Sequence, residues 1–173
     1  MVSKKLTKLK GIIYIFNQLI GSLIGTWIIS LIRPNAIAVT ILNDDVSITQ
    51  GFFLELLTTS VLTIAYFMLI VEKKGRYLSP FYLGMALFVL SLCAGPHTGA
   101  SLNPARTFGP SIVWNKFGRA HWIYYFGPIF GSLLAVFLWY LLKLLNYEEA
   151  MEYYENFEEK RDIEKVGEEA TTV

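Results

Sequence analysis

The amino-acid sequence predicts an all-α membrane protein with four transmembrane helices and one re-entrant half helix. Hydrophobic residues make up 54% of the 173 residues, which is more apolar surface than one soluble core buries. Four apolar segments are long enough to cross a bilayer. Between the last two lies a segment, 95–114, that is too polar for a lipid-facing helix and too apolar for an ordinary loop. Such backbone is tolerated at membrane depth only where it is buried in protein or lines a watery cavity.

The four apolar segments differ in length but all read as spans. The first, from Gly11 to Ile32, has no charged residue and is roughly 30 Å long as a helix. The third, of about 17 residues, is at the short end of what can span. Gly21 and Gly25 either let another helix approach closely or reflect the general frequency of glycine in membrane helices. The predicted spans are residues 11–32, 51–71, 78–94 and 121–145.

The segment between the third and fourth spans predicts a short helix that enters the membrane and stops. Asn103 is a good N-cap and Pro104 suits the first helical position. A helix from Pro104 to about Trp114 would be roughly 16 Å long, about half a bilayer, and with its N-cap the predicted half helix covers residues 103–114. The segment is therefore predicted to be a re-entrant half helix.

The charged residues predict the orientation in the membrane. Positive charge is enriched in cytoplasmic loops, and lysines or arginines cluster before the first span and after the second. Both chain ends are therefore expected in the cytoplasm: a basic segment, 1–10, and an acidic tail, 146–173. Apolar residues at helical spacing in the tail predict a solvated helix that extends the last span, with a partner-binding segment as the alternative. The clustered cations are Lys4, Lys5, Lys8, Lys10, Lys73, Lys74 and Arg76.

Several classes of function find no support in the sequence. The single Cys93 lies in an apolar run and can close no intrachain disulfide. His97, expected in a solvated outer loop, and His121, expected to anchor the last span at the interface, lack metal-ligand neighbours. Asp44 and Asp45 lie in an outer loop with no nucleophile fixed beside them, so we expect no enzyme activity. No cofactor, metal or nucleic acid is implied.

The phrase Asn103-Pro104-Ala105-Arg106 resembles the second pore loop of aquaporins, the major intrinsic proteins. It stands within a longer phrase, 98–106, and is followed by a second phrase, 121–128, at a separation similar to the family's. The resemblance covers residues 11–145 and implies a channel for passive transport. It corresponds to the family's third helix and second repeat. The ten residues before Gly11 contain no counterpart of the first two helices or the first Asn-Pro-Ala loop.

The physics of the pore loop supports a role in transport. A half helix ending at mid-membrane leaves free N–H groups and a positive partial charge near Asn103. The Asn103 amide and the Arg106 guanidinium add donors for a passing solute. The alternative is that Asn103 only caps the helix and Arg106 pairs with a neighbouring acid. Buried charge at this depth is expensive, which favours the functional interpretation.

The resemblance also implies roles for three further residues. Glu55 matches a glutamate that braces the pore loop by accepting backbone hydrogen bonds, and a protonated structural glutamate is the alternative. Ser91, Ala100 and Arg106 match three of the four residues of the family's selectivity filter. Water-selective members usually have histidine where Ser91 stands, which implies a wider filter. Thr107 differs from the aspartate of typical glycerol channels, so the resemblance favours water, with other small neutral solutes also admitted.

The expected function is an aquaporin-like channel for passive transmembrane transport of water and other small neutral, glycerol-like solutes, incomplete as a single chain. The alternative is a non-conducting fragment or an interaction subunit of a channel oligomer. The expected partners are the lipid bilayer, the solutes and other channel chains in a homo- or hetero-oligomer. The expected location is a plasma or internal membrane, crossed several times.

Overall fold

The computed structural model describes residues 6–35, 37–72, 76–147, 149, 153, 154, 156, 157 and 161. Four helices in this part of the chain are long and apolar enough to cross a membrane. A fifth, shorter helix lies between the third and fourth of them. The predicted class, an all-α membrane protein, is confirmed for the described residues.

The helices run in the predicted order. We number them α1 to α5, with α4 as the short helix. Helix α2 continues directly into one π-helical turn, Phe67–Val71. The bounds are α1 Lys8–Ile32, α2 Ile48–Tyr66, α3 Ser79–Thr98, α4 Pro104–Val113 and α5 Ile123–Leu144.

Helix α2 begins at a complete capping box. The Ser47 side chain accepts from the backbone N–H of Gln50, and the Gln50 side chain accepts from the backbone N–H of Ser47. Two of the free N–H groups at the start of the helix are satisfied in this way. The box fixes where the segment before α2 turns into the span.

Helix α3 is longer than the sequence predicted. The predicted span ended at Ala94, whereas the helix continues to Thr98 and ends at Gly99, which has a left-handed φ of 80°. Glycine adopts this conformation without the steric cost that a side chain brings. His97 is therefore exposed on the last helical turn of α3 rather than in a loop.

The helices of the first compact unit, residues 1–136, pack through small residues. A Cβ on Gly131 would overlap the backbone of Leu56 in α2, and one on Gly127 would lie 2.9 Å from the Glu55 Cβ. Gly21 and Gly25 in α1 behave differently, because a Cβ on either would meet nothing within 4 Å. The close helix approach considered for these two glycines is absent among the described residues of this chain.

Most large apolar side chains of α1 are exposed, as expected for helices that face lipid. Trp27, for example, has 58% of its surface exposed and Phe16 has 62%. The buried residues gather instead around the short helix α4 and the segments beside it. A membrane-inserted chain needs no large dry core, because lipid covers its outer surface.

The second compact unit, residues 137–173, contains the end of α5 and the acidic tail. Within it the Trp139 and Tyr140 rings lie 4.9 Å apart, and the Lys143 ammonium lies 5.7 Å from the Tyr147 ring centroid. Leu145 and Asn146 form a turn, in which Asn146 has a positive φ of 50°, and the described residues after it are helical. The predicted helix is therefore separated from α5 by a turn. The predicted helical spacing also included Ala150 and Met151, which lie outside the described residues, as do Lys4, Lys5, Lys73 and Lys74 of the orientation argument.

Candidate pore loop

The short helix α4 begins as the sequence predicted. Asn103 has an extended backbone, φ −158° and ψ 121°, and its side-chain oxygen accepts from the backbone N–H of Ala105 at 3.0 Å. Pro104 occupies the first helical position, where no N–H is needed. With 10 residues the helix is about 15 Å long. It is a half helix in length.

Helix α1 packs against α4, and one serine of α1 makes two hydrogen bonds to α4. The Ser22 hydroxyl donates to the Ala105 carbonyl and accepts from the Gly109 N–H at 3.1 Å. A Cβ on Gly109 would overlap the Ser22 backbone, so this approach requires glycine. Ala105 is buried and its carbonyl accepts this hydrogen bond, and its place in the pore stays a prediction.

The loop before α4, residues 99–102, has an unusual backbone. Ala100 and Leu102 have positive φ angles of 50° and 51°, and Gly99 precedes them at 80°. A left-handed conformation costs a residue with a side chain roughly 1–2 kcal/mol. Such strain persists only where the surroundings over-determine the conformation.

Glu55 in α2 supplies these surroundings. Its side chain is fully buried and accepts three hydrogen bonds. One carboxylate oxygen accepts from the Thr98 hydroxyl at 2.6 Å and the Ser101 N–H at 2.9 Å, and the other from the Leu102 N–H at 2.9 Å. Both oxygens are thus acceptors for the loop. These are the contacts that a bracing role requires, and the role itself stays a prediction.

Arg106 lies on the first turn of α4 and points its guanidinium at backbone carbonyls. Nη1 donates to the Ala38 carbonyl at 2.9 Å, and Nη2 donates to the Gly99 carbonyl at 3.5 Å. The predicted alternative, pairing with a neighbouring acid, is not seen among the described residues. The guanidinium has five N–H donors, so these two bonds leave others for a solute.

A cavity of about 630 Å³ runs along this loop. Asn103, Pro104 and Arg106 are three of the predicted site residues that line it, next to apolar side chains from α2, α3 and α5. Leu87 and Leu133 in its wall are 46% and 41% exposed, so in this chain it is a groove with one open side. A second cavity of about 650 Å³ shares Asn103 and includes Gln18 of α1.

Two predicted filter residues lie apart from the groove. Ala100 is buried and packs with Ala94 and Leu102, and Ser91 is partly buried on α3. Neither is among the residues that line the groove. The described chain therefore brings together Asn103, Pro104 and Arg106 at the groove, whereas Ser91 and Ala100 remain predicted filter residues.

Sequence reasoning missed two polar features of the site. Thr59, Thr63 and Ser132 are polar residues that line the groove. Thr59 and Thr63 follow Glu55 at intervals of four residues on one face of α2, a signal that was available in the sequence. The second feature is a row of buried hydroxyls, Thr40, Thr107 and Ser101, that gave no local signal.

One end of the chain's first unit holds His121 and a segment, 37–46, that connects α1 to α2. His121 precedes α5, and its Nε2 lies 3.0 Å from the Tyr125 hydroxyl. Burial lowers the pKa of His121. No group of three or more metal-ligating side chains occurs among the described residues.

Comparison with known proteins agrees with the geometry of the pore loop. The family described as major intrinsic protein matches residues 1–139. Similar proteins include aquaporin-1 of Rhizophagus irregularis, 58% identical over 79% of this chain and 50% of that protein. Aquaporin-1 of Botryotinia fuckeliana (strain B05.10) is 44% identical over 86% of this chain and 33% of that protein. The chain thus spans half or less of the length of these two relatives. It belongs to the major intrinsic protein family.

Proposed function

We propose that this chain forms one wall of a channel for passive movement of water and other small neutral solutes across a membrane. The observation that carries the proposal is the groove beside the half helix. Asn103 and Arg106 lie in it together, surrounded mainly by apolar side chains. A solute that sheds its water in such a groove meets a few fixed donors and little else.

The charge at the groove favours neutral solutes. The N-terminus of α4 carries a positive partial charge, and the Arg106 guanidinium adds a full positive charge one turn further on. Both repel cations. Aquaporins as a family exclude protons and cations by an arginine and half-helix dipoles, and we extend this explanation to the chain because it belongs to the family.

The selectivity that we propose rests on the family's filter positions. With Ser91 where water-selective members have histidine, and with the small Ala100 at another filter position, we expect the filter to admit solutes larger than water. Water remains the first expected solute and glycerol the first larger one to test. Glu55 is proposed to brace the loop through the three hydrogen bonds described above.

We further propose that conduction needs helices in addition to those of these 173 residues. The groove has one open side, and the exposed Leu87 and Leu133 would meet lipid there. The closing helices would come from the same polypeptide, from a separate chain or from another copy. An oligomer with other channel chains and cytoplasmic chain ends belong to the same proposal.

Stopped-flow light scattering of vesicles tests the proposal. Under an osmotic gradient, vesicles that contain the chain alone should shrink no faster than empty vesicles. Vesicles that also contain the part of the Rhizophagus irregularis relative outside the aligned region should shrink faster, and that part alone serves as the control. Fast shrinkage by the lone chain without a crosslinked dimer would contradict the need for further helices. No shrinkage in any combination, with both parts bound to each other, would favour a non-conducting interaction subunit.

A further inference from the structure

Three buried hydroxyl groups connect the segment 37–43 to the half helix. The Thr40 and Thr107 hydroxyls lie 2.8 Å apart, and the Thr107 and Ser101 hydroxyls lie 2.7 Å apart. The Ser101 hydroxyl donates to the Asn103 carbonyl at 3.0 Å. Thr40 and Thr107 are fully buried and Ser101 is 3% exposed. The three groups therefore depend on one another for hydrogen bonds.

The direction of this row follows from counting hydrogens. Each hydroxyl has a single hydrogen to donate. Since Ser101 donates to the Asn103 carbonyl, Thr107 must donate to Ser101, and Thr40 must donate to Thr107. The row is thus one directed chain that starts at Thr40 and ends at the backbone of the N-cap residue.

Each end of the row lies close to a hydrogen bond of Arg106. The Asn103 carbonyl at the end of the row accepts from the Arg106 N–H at 3.0 Å. At the other end, Thr40 is two residues from Ala38, whose carbonyl accepts from the Arg106 guanidinium. The backbone and the side chain of Arg106 are thus each held by a segment that the row connects.

Other contacts also hold the segment 37–43, including the burial of Leu42 against Ala120 and Ile123. The Asn43 N–H donates to the His97 carbonyl at 2.9 Å, and its side chain donates to the Pro96 carbonyl at 3.2 Å. Gly99 packs against the Thr40 backbone, with its missing Cβ 3.0 Å from the Thr40 Cα. Apart from the bond that Arg106 itself makes to Ala38, the hydrogen bond of the Thr40 hydroxyl is the nearest side-chain bond to Ala38 among the described residues.

We propose that Thr107 is a positioning residue that holds the segment 37–43 against the half helix and thereby keeps the Ala38 carbonyl where it orients the Arg106 guanidinium. Arg106 donates to solute, whereas Thr107 acts through Thr40 and lines no part of the groove. The consequence for selectivity rests on the proposed function. The coupling between Thr107 and Arg106 does not depend on the proposed function.

The test uses the full chain in lipid nanodiscs, so that it is independent of conduction. Amide hydrogen exchange reports the segment 37–43, and the rate of labelling by an arginine-specific dicarbonyl reagent reports the Arg106 guanidinium. Thr107→Val removes the central hydroxyl and keeps the side-chain shape. Because the one hydrogen bond that ties Thr40 to the half helix contributes about 1 kcal/mol, we expect both rates to rise about fivefold.

Three further variants make the result specific. Thr107→Ser keeps the hydroxyl and should restore both rates to the original values. Thr40→Val removes the hydrogen bond between Thr40 and Thr107 and keeps the one between Thr107 and Ser101. It should raise both rates even if Thr107→Val does not fold. Ser111→Ala is the matched control, since Ser111 is a fully buried α4 residue whose hydroxyl has no hydrogen-bond partner among the described residues.

Either of two results would overturn the proposal. If Arg106 labelling in Thr40→Val equals that in the unmodified chain, the row does not position the guanidinium. If Ser111→Ala raises the rates as much as Thr107→Val, the effect reflects loosening of α4 in general. A failure of the flux experiment with these labelling results intact would affect the proposed function alone.

Discussion

The bracing role proposed for Glu55 leads to a quantitative prediction. Glu55→Ala would leave three donors without an acceptor: the Thr98 hydroxyl and the backbone N–H groups of Ser101 and Leu102. A buried donor left unpaired costs about 1–3 kcal/mol, so the sum is roughly 3–9 kcal/mol. Ser101 and Leu102 line the groove, where water can reach the freed loop. We therefore expect a loss at the lower end, about 3 kcal/mol.

A graded series of variants separates the hydrogen bonds from the charge. In Glu55→Gln the amide oxygen can still accept from Thr98 and Ser101, whereas the amide nitrogen cannot accept from Leu102. About one third of the loss is then expected. Asp44→Ala is the control, because Asp44 is an exposed acid in the segment before α2.

The assay is the temperature at which half of the detergent-solubilised chain leaves the monodisperse peak in size-exclusion chromatography. For a chain of this length, 3 kcal/mol corresponds to a decrease of about 10 °C. The yield of folded protein should fall in the same order: Asp44→Ala, Glu55→Gln, Glu55→Ala. If Glu55→Ala is as stable as Asp44→Ala and a completed channel carrying it only leaks ions, the bracing role is wrong.

Three further predictions concern the groove and the packing around it. In a completed channel, Arg106→Val should admit protons or cations, because it deletes the fixed positive charge; an unchanged proton leak per unit of water flux would contradict this. Ser91→His should keep water flux within about a few-fold and sharply reduce glycerol flux, since the ring narrows the filter; equal glycerol flux in both channels would show that Ser91 does not set the aperture. Gly109→Ala should destabilise the chain, because the added Cβ would overlap Ser22. The matched control Gly21→Ala should not, since its Cβ would meet nothing within 4 Å. Equal stability of the two variants in the same chromatography would refute the close approach at Gly109.

The elements that the sequence predicted well are those whose signals are local. The four spans follow from apolar length, and the half helix follows from Asn103 and Pro104 at adjacent positions. The helix α3 ends later than predicted, although Gly95 and Pro96 are residue types that often mark the end of a helix. Both are tolerated in the last turn, where Gly99 supplies the C-cap.

The segment 37–46 shows why the rest could not be predicted. In the sequence it is a short connection whose most polar residues are Asn43, Asp44 and Asp45. In the structure its backbone carbonyl at Ala38 and its hydroxyl at Thr40 contact the pore loop. Backbone acceptors look alike at every position, so no residue pattern marks the one that will orient an arginine 68 residues away.

The pore loop itself needed both local and distant information. A positive φ favours glycine, yet Ala100 and Leu102 adopt φ angles of 50° and 51°. Both residues therefore adopt a conformation with a steric cost. The three hydrogen bonds that the loop makes to Glu55 offset this cost, and Glu55 lies on a helix more than 40 residues earlier in the chain. The phrase around Asn103 therefore identifies the loop, whereas its shape depends on α2. A sequence with the same phrase and no buried acceptor at the position of Glu55 should not hold these N–H groups in the same conformation, and its half helix would begin from a different loop.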